Sequence, residues 1–190
     1  MITPSEITNL SRTCAEKEEF LAFCILCAGK SSETQAQKLN AFMQGSLDYY
    51  NSVPSFIAYI QYLLEDGRLI SEMQKYKLGK YQLVGDGLKF MAEHPKCIEY
   101  ERDELVSIPG VSYKTASLYR MHTYGDRMAC LDTHILRYMR NVIGVNAPKA
   151  PPSDKRKYEE LELLWLGHCY KHDRTPHEMD LEIWNERTAA

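Results

Sequence analysis

Apolar residues recur three and four positions apart through nearly the whole chain, and no stretch alternates with period two. That pattern predicts an all-α protein. Helices are expected over 4–13, 15–28, 32–43, 55–65, 70–76, 81–93, 101–107, 112–123, 133–143, 154–172 and 177–187. Turn-forming residues separate them at Gly29, Asp66-Gly67, His94-Pro95, Tyr124-Gly125, the prolines between 148 and 152, and Pro176. From Phe20 to Cys27 every residue is apolar, which marks a helix buried on all sides. No apolar run is long enough to span a membrane. There is no internal repeat and no low-complexity tract.

The helical pattern breaks most sharply within Leu105-Val106-Ser107-Ile108-Pro109-Gly110-Val111-Ser112-Tyr113-Lys114-Thr115-Ala116. Proline cannot continue the incoming helix, and glycine takes the positive φ that a tight reversal needs. Ser112 is suited to cap the next helix, and Ala116 is small enough for close packing. A helix that restarts after a glycine turn points unpaired N–H groups forward, where phosphate is the usual guest. Lys114 falls in the first turn of that helix. Eighteen residues further on, Asp132 precedes Thr133-His134-Ile135 and is placed to cap another helix. Each feature has an ordinary structural explanation on its own: a helix–helix turn, a solvated lysine, a plain cap.

Charge limits the partners. The net charge is −3, so the chain is not a globally basic nucleic-acid binder. Any nucleic-acid contact has to come from a local patch and from backbone amides. Acidic residues gather at 16–19 and 159–162, while Lys149, Lys155, Arg156 and Lys157 read as a solvated run beside the prolines. The six cysteines follow no signal peptide, so reduced cytoplasmic thiols are expected. Cys24 and Cys27 sit inside the apolar run without a second pair at zinc spacing, and read as core. Near the end, Trp184 reads equally as a core residue or a stacking platform, and Asp180 as a surface or capping residue.

Ile108-Pro109-Gly110-Val111-Ser112-Tyr113-Lys114-Thr115-Ala116 resembles the helix-hairpin-helix of the endonuclease III and 8-oxoguanine glycosylase superfamily. Leu131-Asp132-Thr133-His134-Ile135 resembles the segment that carries its catalytic aspartate. The resemblance implies two helical lobes with DNA across a cleft. Residues 31–144 would form the central lobe, with the hairpin at 101–123, and 1–30 with 145–190 the terminal lobe. It implies catalytic roles for Lys114 and Asp132. DNA contacts are implied for Pro109, Gly110, Val111, Ser112, Tyr113, Thr115 and His134. It also implies a monovalent cation on the backbone carbonyls of Val106, Ile108 and Val111, and no other cofactor. Many members carry a four-cysteine iron–sulfur loop near their end; beyond Cys130 this chain has Cys169 alone, so no such cluster is expected. Ala28-Gly29-Lys30 and Asp180-Leu181-Glu182-Ile183-Trp184 are closest to archaeal-type 8-oxoguanine glycosylases. That similarity assigns Lys30 to DNA contact, and Asp180 and Trp184 to the base pocket. Two departures stand out. Many relatives insert a glutamine into the DNA stack where this chain has Ala28-Gly29-Lys30. Some use a lysine at the extreme C-terminus to recognise the base, whereas this chain ends Arg187-Thr188-Ala189-Ala190.

The expected function is a bifunctional DNA glycosylase and abasic-site lyase of base excision repair. It is expected to act as a cytoplasmic monomer on double-stranded DNA, with 8-oxoguanine the favoured base. Two alternatives stay open: a glycosylase for a modified pyrimidine in phage or anti-phage biology, and a non-catalytic DNA-binding module.

Overall fold

The computed structural model describes residues 1–49 and 55–188, without the side chains of 46–49 and 187–188. Ala189 and Ala190, part of the tail compared above, therefore lie outside the described residues. Every regular element among them is helical. None of these helices is long and apolar enough to cross a membrane.

The chain forms two compact units. The first comprises Met1–Ile7 and Ser11–Val111; the second comprises Thr8–Leu10 and Ser112–Ala190.

The first unit is built around helix α1 (Cys14–Cys27). Thr13 starts it with a capping box: its hydroxyl accepts from the Glu16 N–H, and the Glu16 carboxylate accepts from the Thr13 N–H at 2.8 Å. Phe20 through Cys27 are all buried, so this helix has no solvent face over its last two turns. Helices α2 (Ser32–Tyr49), α3 (Phe56–Glu65) and α5 (Tyr81–Glu93) pack on it, and α4 (Leu69–Lys75) packs on α3 and α5. Each large side chain buried here contributes about 1.5–3 kcal/mol. Glu18 is buried, and its side chain accepts from the Ile57 N–H at 3.0 Å, satisfying a first-turn donor of α3. The short helix α6 (Arg102–Leu105) ends this unit.

The second unit contains α7 (Tyr113–Tyr124), α8 (Thr133–Tyr138), α9 (Lys155–Lys171) and α10 (Pro176–Thr188). Its core includes Leu131, Ile135, Leu136, Met139, Tyr158, Trp165, Cys169 and Met179.

This division differs from the expected one. Of residues 1–30 only Thr8–Leu10 group with 145–190; 1–7 and 11–30 do not, because α1 is enclosed by α2, α3 and α5. Residues 112–144 group with the C-terminal helices, because α7, α8 and α9 all pack with α10. Three elements also depart from the sequence pattern. The helix expected over 4–13 is one 3₁₀ turn, Pro4–Glu6. Beyond it the backbone is used elsewhere: the Ile7 carbonyl accepts from the Arg12 guanidinium, and the Asn9 N–H donates to the His122 carbonyl. Helix α6 stops at Leu105 because Ser107 and Ile108 turn back to carbonyls three residues earlier. After Tyr138 the helix widens into a π turn, Met139–Ile143, closed by Gly144 at φ +78°.

Candidate active site

The reversal after α6 is held from both sides within the first unit. Gly110 has φ +86°, and the Val111 N–H donates to the Ile108 carbonyl at 3.0 Å. Helix α5 presents Gly87 beneath it. A Cβ at Gly87 would lie 2.6 Å from the Pro109 carbonyl oxygen, so the turn can sit there only over a glycine. Sequence reasoning missed Gly87, because nothing in its own segment marks it. Of the three carbonyls assigned to a cation, that of Ile108 already accepts one hydrogen bond within the turn.

Ser112 then opens α7. Its side chain accepts from the Thr115 N–H at 3.3 Å and its carbonyl from the Ala116 N–H at 2.8 Å. Thr115 is buried, with its hydroxyl 3.2 Å from that of Ser112. It supports the cap, and its side chain does not reach outward. Tyr113 and Lys114 follow, both partly exposed, in the first turn of α7. The ammonium of Lys155 lies 5.6 Å from the centre of the Tyr113 ring.

Asp132 caps α8. A single oxygen, Oδ1, accepts from the N–H groups of His134 at 2.7 Å and Ile135 at 2.8 Å. The second oxygen has no hydrogen-bond partner among the described residues. The cap thus fixes the carboxylate and leaves half of it available. The His134 ring meets Nη2 of Arg137 at 3.2 Å and stands edge-on to Trp184 with ring centres 6.0 Å apart. Trp184 is only partly buried, so it is not a plain core residue. Asp180, one helical turn before it, accepts from or pairs with His122 Nε2 at 3.3 Å. Nδ1 of that fully buried histidine lies 2.7 Å from the Thr8 hydroxyl. The second unit therefore contains Lys114, Asp132, His134, Asp180 and Trp184.

Lys30 belongs to the first unit and is partly engaged. Its ammonium donates to the Leu78 carbonyl at 2.7 Å, while Lys80 reaches back to the Ala28 carbonyl at 2.7 Å. Gly29 and Gly79, at φ +71° and +70°, let the two loops cross in this way. Partial burial, then the nearby charges of Lys80 and Lys38, push the Lys30 amine below the usual lysine range. Among the described residues no three His, Cys, Asp or Glu side chains gather as metal ligands.

A proline–glycine reversal leading into a capped helix with lysine in its first turn, and an aspartate capping a later helix, define a helix-hairpin-helix glycosylase scaffold. Residues 5–172 match the family described as 8-oxoguanine DNA glycosylase, and the chain belongs to that family. It is 26% identical over 167 residues to an 8-oxoguanine DNA glycosylase/AP lyase of Picrophilus torridus, covering 86% of this chain and 75% of the relative. The fold matches the crystal structure of Methanocaldococcus jannaschii 8-oxoguanine DNA glycosylase with a TM-score of 0.72 at 23% identity, covering 97% of this chain and 84% of the other. It matches the same archaeal enzyme in complex with a 15mer DNA containing 8-oxoguanine with a TM-score of 0.70 at 22% identity, covering 95% and 84%.

Proposed function

We propose that this chain is a bifunctional DNA glycosylase and abasic-site lyase that removes 8-oxoguanine from double-stranded DNA. One observation carries the reading: a chain that belongs to the 8-oxoguanine glycosylase family over residues 5–172 has Lys114 and Asp132 at the starts of two helices of the same unit.

A base inside a duplex is out of reach, so the nucleotide is turned out of the stack at a cost of a few kcal/mol. The Val111 N–H is given to the Ile108 carbonyl, and the N–H groups of Gly110 and Ser112 beside it hold backbone phosphate, which reads no sequence. A monovalent cation on the carbonyls of Val106, Ile108 and Val111 would add positive charge to that turn; no other cofactor is needed. Lys30 has ammonium protons beyond the one given to Leu78 and serves a further phosphate. Trp184 and Asp180 face the displaced base.

Lys114, as the neutral amine, attacks C1′ of the sugar. The C1′–N bond breaks, and the base leaves with the electron pair and takes up a proton. The positive end of the α7 dipole disfavours the ammonium and so favours the reactive form. The available Asp132 oxygen stabilises the positive charge that develops on the sugar. The amine nitrogen gives up a proton, the C1′–O4′ bond opens and O4′ takes up a proton, which converts the aminal to an imine. The imine permits loss of a C2′ proton and cleavage of the C3′–O bond with the 3′ phosphate leaving, which cuts the strand 3′ to the lesion. The compartment is the one that holds the DNA, taken from the sequence to be the cytoplasm.

The test is borohydride trapping on duplexes bearing 8-oxoguanine, uracil, thymine glycol or 5-hydroxymethyl pyrimidines. The wild-type chain is expected to excise 8-oxoguanine and to give a reduced covalent adduct. Lys114→Gln should abolish the adduct and strand cleavage while keeping DNA binding. Asp132→Asn should slow excision on the order of a hundredfold, yet still give adduct on a pre-formed abasic site. An adduct at the wild-type level with Lys114→Gln would place the nucleophile elsewhere. Excision of a pyrimidine in place of 8-oxoguanine would replace the substrate, and no excision at all would leave a binding module.

A further inference from the structure

Two segments of the second unit carry the reactive groups: the first turn of α7, with Lys114, and the extended stretch Ala129-Cys130-Leu131 that delivers Asp132. One side chain, on neither segment, reaches the second segment and the helix that carries the first. Tyr158, in the first turns of α9, is completely buried. Its hydroxyl donates to the Ala129 carbonyl at 2.6 Å and accepts from the Leu131 N–H at 3.1 Å. It also hydrogen-bonds the buried Ser117 side chain of α7, three residues after Lys114. Its ring packs on that of Tyr113, with centres 5.9 Å apart. A phenol has one proton to donate and two lone pairs to accept with. Here the proton goes to Ala129 and the two acceptor sites to Leu131 and Ser117, so the group is saturated. Burial pushes the phenol well above its ordinary value, which keeps it a donor. One turn further along α9, the buried Glu162 accepts from the Ala129 N–H at 2.8 Å, so both polar groups of Ala129 are held by α9. The stretch has no β-sheet neighbour among the described residues, and these side chains stand in for one.

We infer that Tyr158 is a positioning residue that sets Asp132 in register with the Lys114 helix. It touches no reacting atom. Its hydroxyl ties the peptide groups just before Asp132 to the face of α7 that lies one turn beyond Lys114. Removing the hydroxyl leaves a buried carbonyl and a buried N–H without their partner, and the stretch shifts to recover them. The Asp132 carboxylate then moves relative to the sugar, while Lys114 stays on a helix held by its own backbone bonds and by the Ser112 cap. This role presupposes the glycosylase and lyase activity proposed above.

The experiment separates the two chemical steps. Single-turnover excision from an 8-oxoguanine duplex is compared with borohydride trapping on a duplex carrying a pre-formed abasic site, for wild type, Tyr158→Phe and Ser117→Ala. Thermal melts are recorded alongside, and activity is measured well below each midpoint. Tyr158→Phe keeps the ring and should slow excision by about tenfold or more, with trapping reduced by less than about threefold. A merely stabilising bond would lower the melting temperature and leave the ratio of the two rates unchanged. That result, or equal loss of both steps, overturns the inference while the functional reading stands. If Tyr158→Phe does not fold, Ser117→Ala removes the bond to α7 alone and should move the same ratio in the same direction; an unchanged ratio there overturns it equally. A wild-type chain that neither excises nor traps overturns the role and the activity together.

Discussion

Two glycines in α5, two residues apart, have opposite reasons to be there. A Cβ at Gly85 would meet the tip of Ile70 at 3.0 Å, a flexible side chain that can swing aside. A Cβ at Gly87 would meet the Pro109 carbonyl at 2.6 Å, a backbone atom inside the hairpin turn. Alanine is favoured over glycine within a helix by about 1 kcal/mol. At position 85 that gain should survive, so Gly85→Ala is expected to be neutral or stabilising. At position 87 the clash exceeds it, and Gly87→Ala should cost about 1–3 kcal/mol because the turn must move. Urea midpoints of the two variants compared with wild type check this; equal shifts in the same direction would contradict it. Asp132 shows a related economy. Asparagine caps a helix about as well as aspartate, so Asp132→Asn removes the charge without removing the fastening.

Helix starts were the most legible elements, because a cap is written in a few consecutive residues. Ser112 with Thr115 and Asp132 with Ile135 form bonds that their spacing announces, whereas Thr13, read as the end of a helix over 4–13, caps α1 with Glu16. The π turn after Tyr138 was not legible, since it continues an apolar spacing that an α-helix would equally satisfy. Nor was the junction at Tyr158: two of its hydroxyl's partners are backbone atoms 29 and 27 residues away. The last two helices also carry an acid sensitivity. Burial, then the charges of His172 and Lys171, lowers His168 on α9 below the ordinary histidine value, and burial followed by His122 does the same for His177 on α10. A histidine whose folded pKa is lowered binds its proton more readily unfolded. Its stabilising contribution is therefore present above about 6.5, the ordinary value, and is lost as the pH falls from there through the folded pKa. The melting temperature should decline as the pH falls below about 6.5, and His168→Gln should flatten that decline. An identical slope in the variant would show that His168 is not responsible.

At the scale of the whole molecule, the helical class and the family could be read from pattern and motif, whereas the grouping of segments could not. Phe20–Cys27 announces a central helix without saying which helices enclose it. Thr8–Leu10 joins the second unit through contacts to α7, among them the Asn9 bond to the His122 carbonyl and the packing of Leu10 against Gly125. Such pairings depend on residues more than a hundred positions apart, and no local pattern encodes them.

The same compact packing leaves one cysteine, Cys14, exposed and five buried. Burial raises the Cys97 and Cys169 thiols to about 12, so neither offers a thiolate at neutral pH. The protein thereby carries its own gauge of integrity. A brief pulse of maleimide should add a single label, at Cys14, to the native chain, and six to the chain in denaturant. The mass spectrum of a pulse-labelled sample then counts folded and unfolded molecules directly, and damage to either unit registers as extra labels. Rapid native labelling at any second cysteine would show that the burial described above does not hold in solution.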